Sequence, residues 1–193
     1  MANLKSVFLP DSLRVIGGSA FTNCTNLENV VLNDEIYSIG GNAFSQCSKL
    51  KLTALPKKLN KFDGEGVFML CGEGIKITSL PAELSVLPGY TFYNCPNVKI
   101  SVFGGNNGES KLNSIGHDCF GNCGTGSEGP VITEIVINYS VEKIEADAFK
   151  NYAVDTLKAV YFARSDGTDT YEVYGQTFSG MGFNETQVEP RRL

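Results

Sequence analysis

Ile16-Gly17-Gly18-Ser19-Ala20-Phe21-Thr22-Asn23-Cys24-Thr25-Asn26-Leu27 returns 23 residues later as Ile39-Gly40-Gly41-Asn42-Ala43-Phe44-Ser45-Gln46-Cys47-Ser48-Lys49-Leu50. Outward from this pair, the Phe recurs at Phe68, Phe92, Phe120, Phe149 and Phe178, with spacings of 23, 24, 24, 28, 29 and 29 along the series. Three residues after each Phe stands Cys24, Cys47, Cys71, Cys95 or Cys123, then Tyr152 and Met181. Five before it stands Ile16, Ile39, Leu87, Ile115, Ile144 or Val173, with Phe62 six before Phe68. A unit this short cannot bury its apolar face alone and must stack on its neighbours. Seven copies therefore predict one elongated array over residues 1–193, with no internal domain boundary and with the Phe side chains in one buried column.

Each copy carries a short β-type segment, such as Val30-Val31-Leu32 or Thr53-Ala54-Leu55-Pro56. Its side chains alternate between the two faces, and the Pro or Asn that follows ends pairing and turns the chain. Ser12-Leu13-Arg14-Val15-Ile16 reads as a second extended piece passing back under the strand. The Ala-Phe-x-x-Cys stretch is too short for an ordinary helix and is expected to form a helical turn that buries Phe and Cys at i and i+3.

This template resembles the BspA-like branch of the leucine-rich repeat superfamily over about residues 4–190. The resemblance implies a right-handed leucine-rich-repeat solenoid, with a parallel β-sheet on the concave side and short helical turns on the convex side. It also implies adhesion and protein binding at a bacterial or protist cell surface. The later copies depart from the pattern, with Gly17 and Gly40 replaced by Pro88, Glu145 and Tyr174, and Ala20 by Thr91, Cys119 or Thr177. Extra residues after the strand, 104–111 and 164–170, are expected to leave as loops from one edge, and 124–130, after the Cys, from the other.

Five of the six cysteines share one repeat position, so they are expected to line up as a buried column of reduced thiols rather than as a disulfide framework. The 21 acidic against 16 basic residues give a net charge of −5, which argues against a nucleic-acid surface. No run approaches the roughly 18 apolar residues of a membrane helix, and residues 1–8 lack the apolar core of a secretion signal. The single histidine, His117, lies near Cys119 and Cys123, but the template turns both thiols inward, away from any shared metal. Asp166-Gly167-Thr168-Asp169 lacks the closing Glu of a calcium loop, and no P-loop, dinucleotide or G-x-S-x-G motif occurs. No cofactor, metal or catalytic residue is assigned, and the chain is read as a non-enzyme.

The expected function is a protein-interaction or adhesion module of a cell-surface or secreted protein, binding a protein or host-surface ligand. Structural spacer and intracellular scaffold are the alternatives. The chain end, where Gln187-Val188-Glu189-Pro190 resembles the start of a further strand, is read as a segment of a longer protein. In the x-x-L-x-x-V-x-L pattern the outward strand positions include Phe8, Val31, Leu52, Ala54, Ile77, Ile100, Val102, Val136 and Tyr161. These are the candidate partner-binding residues, and a continuous apolar face of this kind also invites self-association. The sequons at Asn23, Asn138 and Asn184 are read as chance matches.

Overall fold

The computed structural model describes residues 3–105, 109–163, 172–173 and 189–191. Within them the chain winds as a parallel β-solenoid with two strand ladders and one ladder of turns. The first strand ladder begins with β1 (Ser6–Val7) paired to β3 (Asn29–Val30). It continues through single bridges, Asn29 to Lys51 and Leu52 to Ile75. It resumes as β7 (Val102–Phe103), β9 (Glu134–Ile137), β11 (Ala159–Ala163) and β13 (Glu189–Arg191). The second ladder comprises β2 (Val15–Ile16), β4 (Ser38–Gly40) and β5 (Lys61–Asp63). A further sheet on that side contains β6 (Val86–Leu87), β8 (Ser114–Ile115), β10 (Lys143–Ile144) and β12 (Glu172–Val173). All pairings are parallel, because each strand meets its equivalent one turn away.

The core is the sum of the repeat columns. Ile16, Ile39, Phe62, Leu87, Ile115 and Ile144 point inward from the second ladder and are buried. Phe44, Phe68, Phe92, Phe120 and Phe149 are fully buried, while Phe21, at the first turn, is half-buried. Their rings stack face to face with centroids 5.2, 5.4, 5.6, 5.6 and 5.5 Å apart and interplanar angles of 19° or less. Phe62 and Phe103 pack edge-on against this column from the strand sides, the geometry the ring quadrupoles favour. Phe178 and Met181 lie outside the described residues.

The expected helical turns are absent. Around each Phe the backbone enters the left-handed region twice, two residues before and two after: Ser19 and Asn23, Asn42 and Gln46, Gly66 and Leu70, Tyr90 and Asn94, Asp118 and Asn122, Asp147 and Asn151. The N–H groups divide accordingly. Those of Ser19, Phe21 and Asn23 reach the carbonyls of Gly41, Ala43 and Ser45 in the next turn, while Ala20, Thr22 and Cys24 bond back to Gly17, Ser19 and Phe21. Beyond its first turn an α-helix keeps its N–H groups bonded within its own segment, and here half of them hold neighbouring turns together. The only helical element among the described residues is a 3-10 turn at Gly72–Gly74.

Close approach of turns explains the glycine pair at the repeat's start. A Cβ on Gly40 would lie 2.3 Å from the Gly18 nitrogen, so no larger residue fits while the ladder is kept.

Candidate functional site

The outer face of the first strand ladder is built by alternation. In β9, Ile135 and Ile137 are buried, whereas Glu134 is exposed and Val136 half-exposed. Registration then places Val102, Val136 and Tyr161 side by side on the outer face. At the other end of the array Phe8 and Val31, following the paired Val7 and Val30, are 93% and 71% exposed. Ala54 is exposed as well. Six of the nine expected contact residues therefore reach the surface.

Leu52, Ile77 and Ile100 do not. They are 8%, 0% and 0% exposed and belong to the core. The reason is a one-residue shift of register between turns. Val30 stands three residues after buried Leu27, but Leu52, its structural equivalent in the next turn, stands two after buried Leu50. With a side-chain period of two, such a slip sends the whole set to the opposite face. The outward neighbours of Leu52 and Ile77 are instead Lys51, Thr53, Lys76 and Thr78, of which Lys76 is half-buried and the rest exposed. The face is thus apolar near its two ends and polar in the middle.

Cys24, Cys47, Cys71, Cys95 and Cys123 form the expected buried column, and all six cysteines are free thiols. Four of them have a task that the sequence reading missed: the Sγ–H of Cys47, Cys71, Cys95 and Cys123 donates to the carbonyl of Phe21, Phe44, Phe68 and Phe92, at 3.1, 2.9, 3.1 and 3.0 Å. Burial pushes the Cys47 thiol up to about 11 from an ordinary value of 9.0, and burial raises Cys71, Cys119 and Cys123 as well. Protonated, inaccessible thiols are poor nucleophiles and poor metal ligands.

His117 stands apart from Cys119 and Cys123. Its Nε2 lies 3.2 Å from Glu65 Oε1, its Nδ1 3.6 Å from Asp118 Oδ2, and its ring meets Tyr90 edge-on at 4.7 Å. No cluster of three or more His, Cys, Asp or Glu with metal-holding geometry occurs among the described residues.

The insertions behave differently from one another. Residues 124–130 are bound to the solenoid: Gly126 N–H donates to the Pro96 carbonyl, Glu128 N–H to buried Asn97 Oδ1, and the Glu128 carboxylate pairs with Lys76. The loop at 104–111 leaves the end of β7 through Gly104, at φ 76°, and returns where Lys111 N–H meets the Ala82 carbonyl. The loop at 164–170 lies outside the described residues. Asn138 is 5% exposed and donates to the Gly104 carbonyl, so this sequon offers no free amide for a glycan. No helix among the described residues is long and apolar enough to cross a membrane.

Comparison with known proteins places this architecture in context. The family described as BspA type leucine rich repeat region matches in 6 copies, over residues 1–126, 27–155 and 114–178. No curated protein matches the chain in sequence. Among solved structures, a leucine-rich repeat protein from Bacteroides ovatus aligns over 92% of this chain and 53% of its own, at 21% identity and a TM-score of 0.48. A leucine rich cell surface protein from Faecalibacterium prausnitzii aligns over 98% of this chain and 61% of its own, at 20% identity and a TM-score of 0.46. The leucine rich repeat protein of T. pallidum aligns over 90% and 70%, at 22% identity and a TM-score of 0.44. The chain thus spans 53% and 61% of the length of the first two.

Proposed function

The chain belongs to the BspA-type leucine-rich repeat family, and from that premise we propose that it is a non-catalytic protein-interaction or adhesion module acting at the cell surface, as part of a longer protein. The outer face of the first strand ladder makes the contact. The observation that carries this reading is the set of apolar side chains held in water there without need: Phe8 and Val31 at one end, Val102 at 52% exposure beside Val136 and Tyr161 at the other. A rigid array of parallel strands presents such side chains at fixed intervals, which lowers the ordering cost of binding. Exposed apolar groups of this kind mark interaction surfaces when they are contiguous and ringed by polar residues.

Labelled protein offered to a panel of intact cells, with binding read by flow cytometry, tests the proposal. Saturable binding is expected, with strong loss in Val31→Glu or Val136→Glu and none in Ser48→Glu on the turn side. Equal loss in all three variants, or no saturable binding to any cell, would favour a spacer that merely holds other domains apart. Concentration-dependent sedimentation that disappears in Val136→Glu would identify a second copy of the chain as the occupant.

A further inference from the structure

The first strand ladder opens at one place. Lys99 N–H donates to the Ile77 carbonyl, but beyond that point β7 pairs only with β9, and no backbone hydrogen bond joins residues 78–80 to residues 101–103 among the described residues. A cavity of about 420 Å³ lies in the opening, lined by Thr78, Ser79, Ser101, Glu109, Ser110 and Asn138 with Leu80, Ala82 and Val102. That volume falls in the range of ligand sites. The root of the 104–111 loop bounds the cavity and is held in place, since Gly105 N–H donates to Ser140 Oγ and Leu112 N–H to Ser110 Oγ.

Two features specify what would fit. Asn138 is 5% exposed, and its side-chain N–H donates to the Gly104 carbonyl at 3.2 Å, which fixes the amide's orientation. Its Oδ1 is then a buried acceptor with no partner among the described residues, an arrangement that costs free energy until a donor arrives. Glu109, on the same cavity, is exposed and has no ion-pair partner among the described residues, and the lining contains no basic residue. The hydroxyls can serve donors or acceptors, so the Asn138 Oδ1 and the Glu109 carboxylate decide, and both favour a ligand that brings donors and positive charge. Leu80, Ala82 and Val102 accommodate an apolar stem.

We propose that this cavity receives a cationic side chain, lysine or arginine, from a protein partner lying along the strand face. The inference rests on the interaction-module reading but adds the chemistry of one contact, with Glu109 meeting the charge and the Asn138 amide taking a hydrogen bond. The polar hydroxyls around them complete the acceptor set.

The test uses N-acetyl-arginine methylamide, N-acetyl-lysine methylamide, N-acetyl-norleucine methylamide and methyl glucoside as probes, titrated into the isotope-labelled full chain and followed by amide chemical shifts. Saturable shifts centred on Ser79, Ser101 and Ser110 are expected from the two cationic probes only, weakened several-fold in Glu109→Gln. That variant lies on an exposed loop residue, and its unchanged spectrum elsewhere checks the fold. Equal response to the norleucine probe, a response to the glucoside alone, or no effect of Glu109→Gln would overturn the proposal. Because the probes are small molecules, a negative result leaves the cell-binding experiment with Val31→Glu and Val136→Glu to judge the interaction-module reading separately.

Discussion

The Tyr152 hydroxyl stands 2.6 Å from both the amide nitrogen and the carbonyl oxygen of Ile100, accepting from one and donating to the other. Tyr152 occupies the slot held by cysteine in the preceding turns, and it crosses the core to serve the backbone of the strand segment where the first ladder opens. Tyr152→Phe should therefore cost about 1 to 3 kcal/mol, because two buried backbone groups lose their partner while packing is kept. Chemical denaturation with an unchanged m-value checks this.

The register of the strand face yields a paired prediction. Leu52→Ala should destabilise by about 2 to 5 kcal/mol, as expected for a buried leucine, and Val31→Ala by no more than about 0.5 kcal/mol, as for an exposed position. Equal effects in thermal unfolding would place both side chains on the same face.

Truncating a ring in the middle of the aromatic stack should be severe. Phe92 touches Phe68 and Phe120 on its two faces and Phe62 at its edge, so Phe92→Ala is expected to cost about 3 to 5 kcal/mol. Phe21, half-buried with one stacked neighbour described, should cost clearly less. The ranking, read from urea midpoints, is the decisive quantity.

Leu70 holds a φ of 60° at a position where the other turns carry Asn23, Gln46, Asn94, Asn122 and Asn151. A bulky side chain is disfavoured there by about 1 to 2 kcal/mol. The asparagines also form a ladder, Asn151 donating to Asn122 at 2.9 Å and Asn122 to Asn94 at 2.7 Å. Leu70→Asn should raise stability by about 1 kcal/mol, visible as a higher melting temperature. A decrease would show that the Leu70 side chain contributes more by packing than the backbone loses.

The thiol column predicts an alkaline limit. Cys47 ionises near 11 in the folded chain against 9.0 ordinarily, so the unfolded state releases its proton first. Stability from this group is complete below pH about 9 and is lost as pH rises towards 11. Native thiols should be slow towards alkylating reagents at pH 8 and fully reactive in denaturant, and stability should fall measurably between pH 9 and 11. Fast native labelling of Cys47 would contradict its burial.

The recurrence of Phe, of the residue three after it and of the residue five before it determined the array, its core columns and its reduced cysteines from sequence alone. Identical offsets in stacked units must occupy equivalent places, so no knowledge of the path between them was needed. What the chain does between those fixed points was decided only in three dimensions. The turn around Phe21 reads as a helical turn in sequence, because i and i+3 burial suits one, yet its N–H groups find better use on the neighbouring turn. That choice depends on a partner strand of backbone that no local pattern reveals. Asn at Phe+2 was a usable local signal for the left-handed positions, while Leu70 and Tyr90 gave none. The fate of Leu52, Ile77 and Ile100 turned on a single residue of register, visible as the alternation Leu50-Lys51-Leu52-Thr53 but hidden when every turn is fitted to one x-x-L-x-x-V-x-L pattern. The cavity at Asn138 could not be read from sequence at all. It exists because the first strand ladder opens between residues 78–80 and 101–103 beside the root of the 104–111 loop, and only tertiary packing fixes where a buried amide is left without a donor among the described residues.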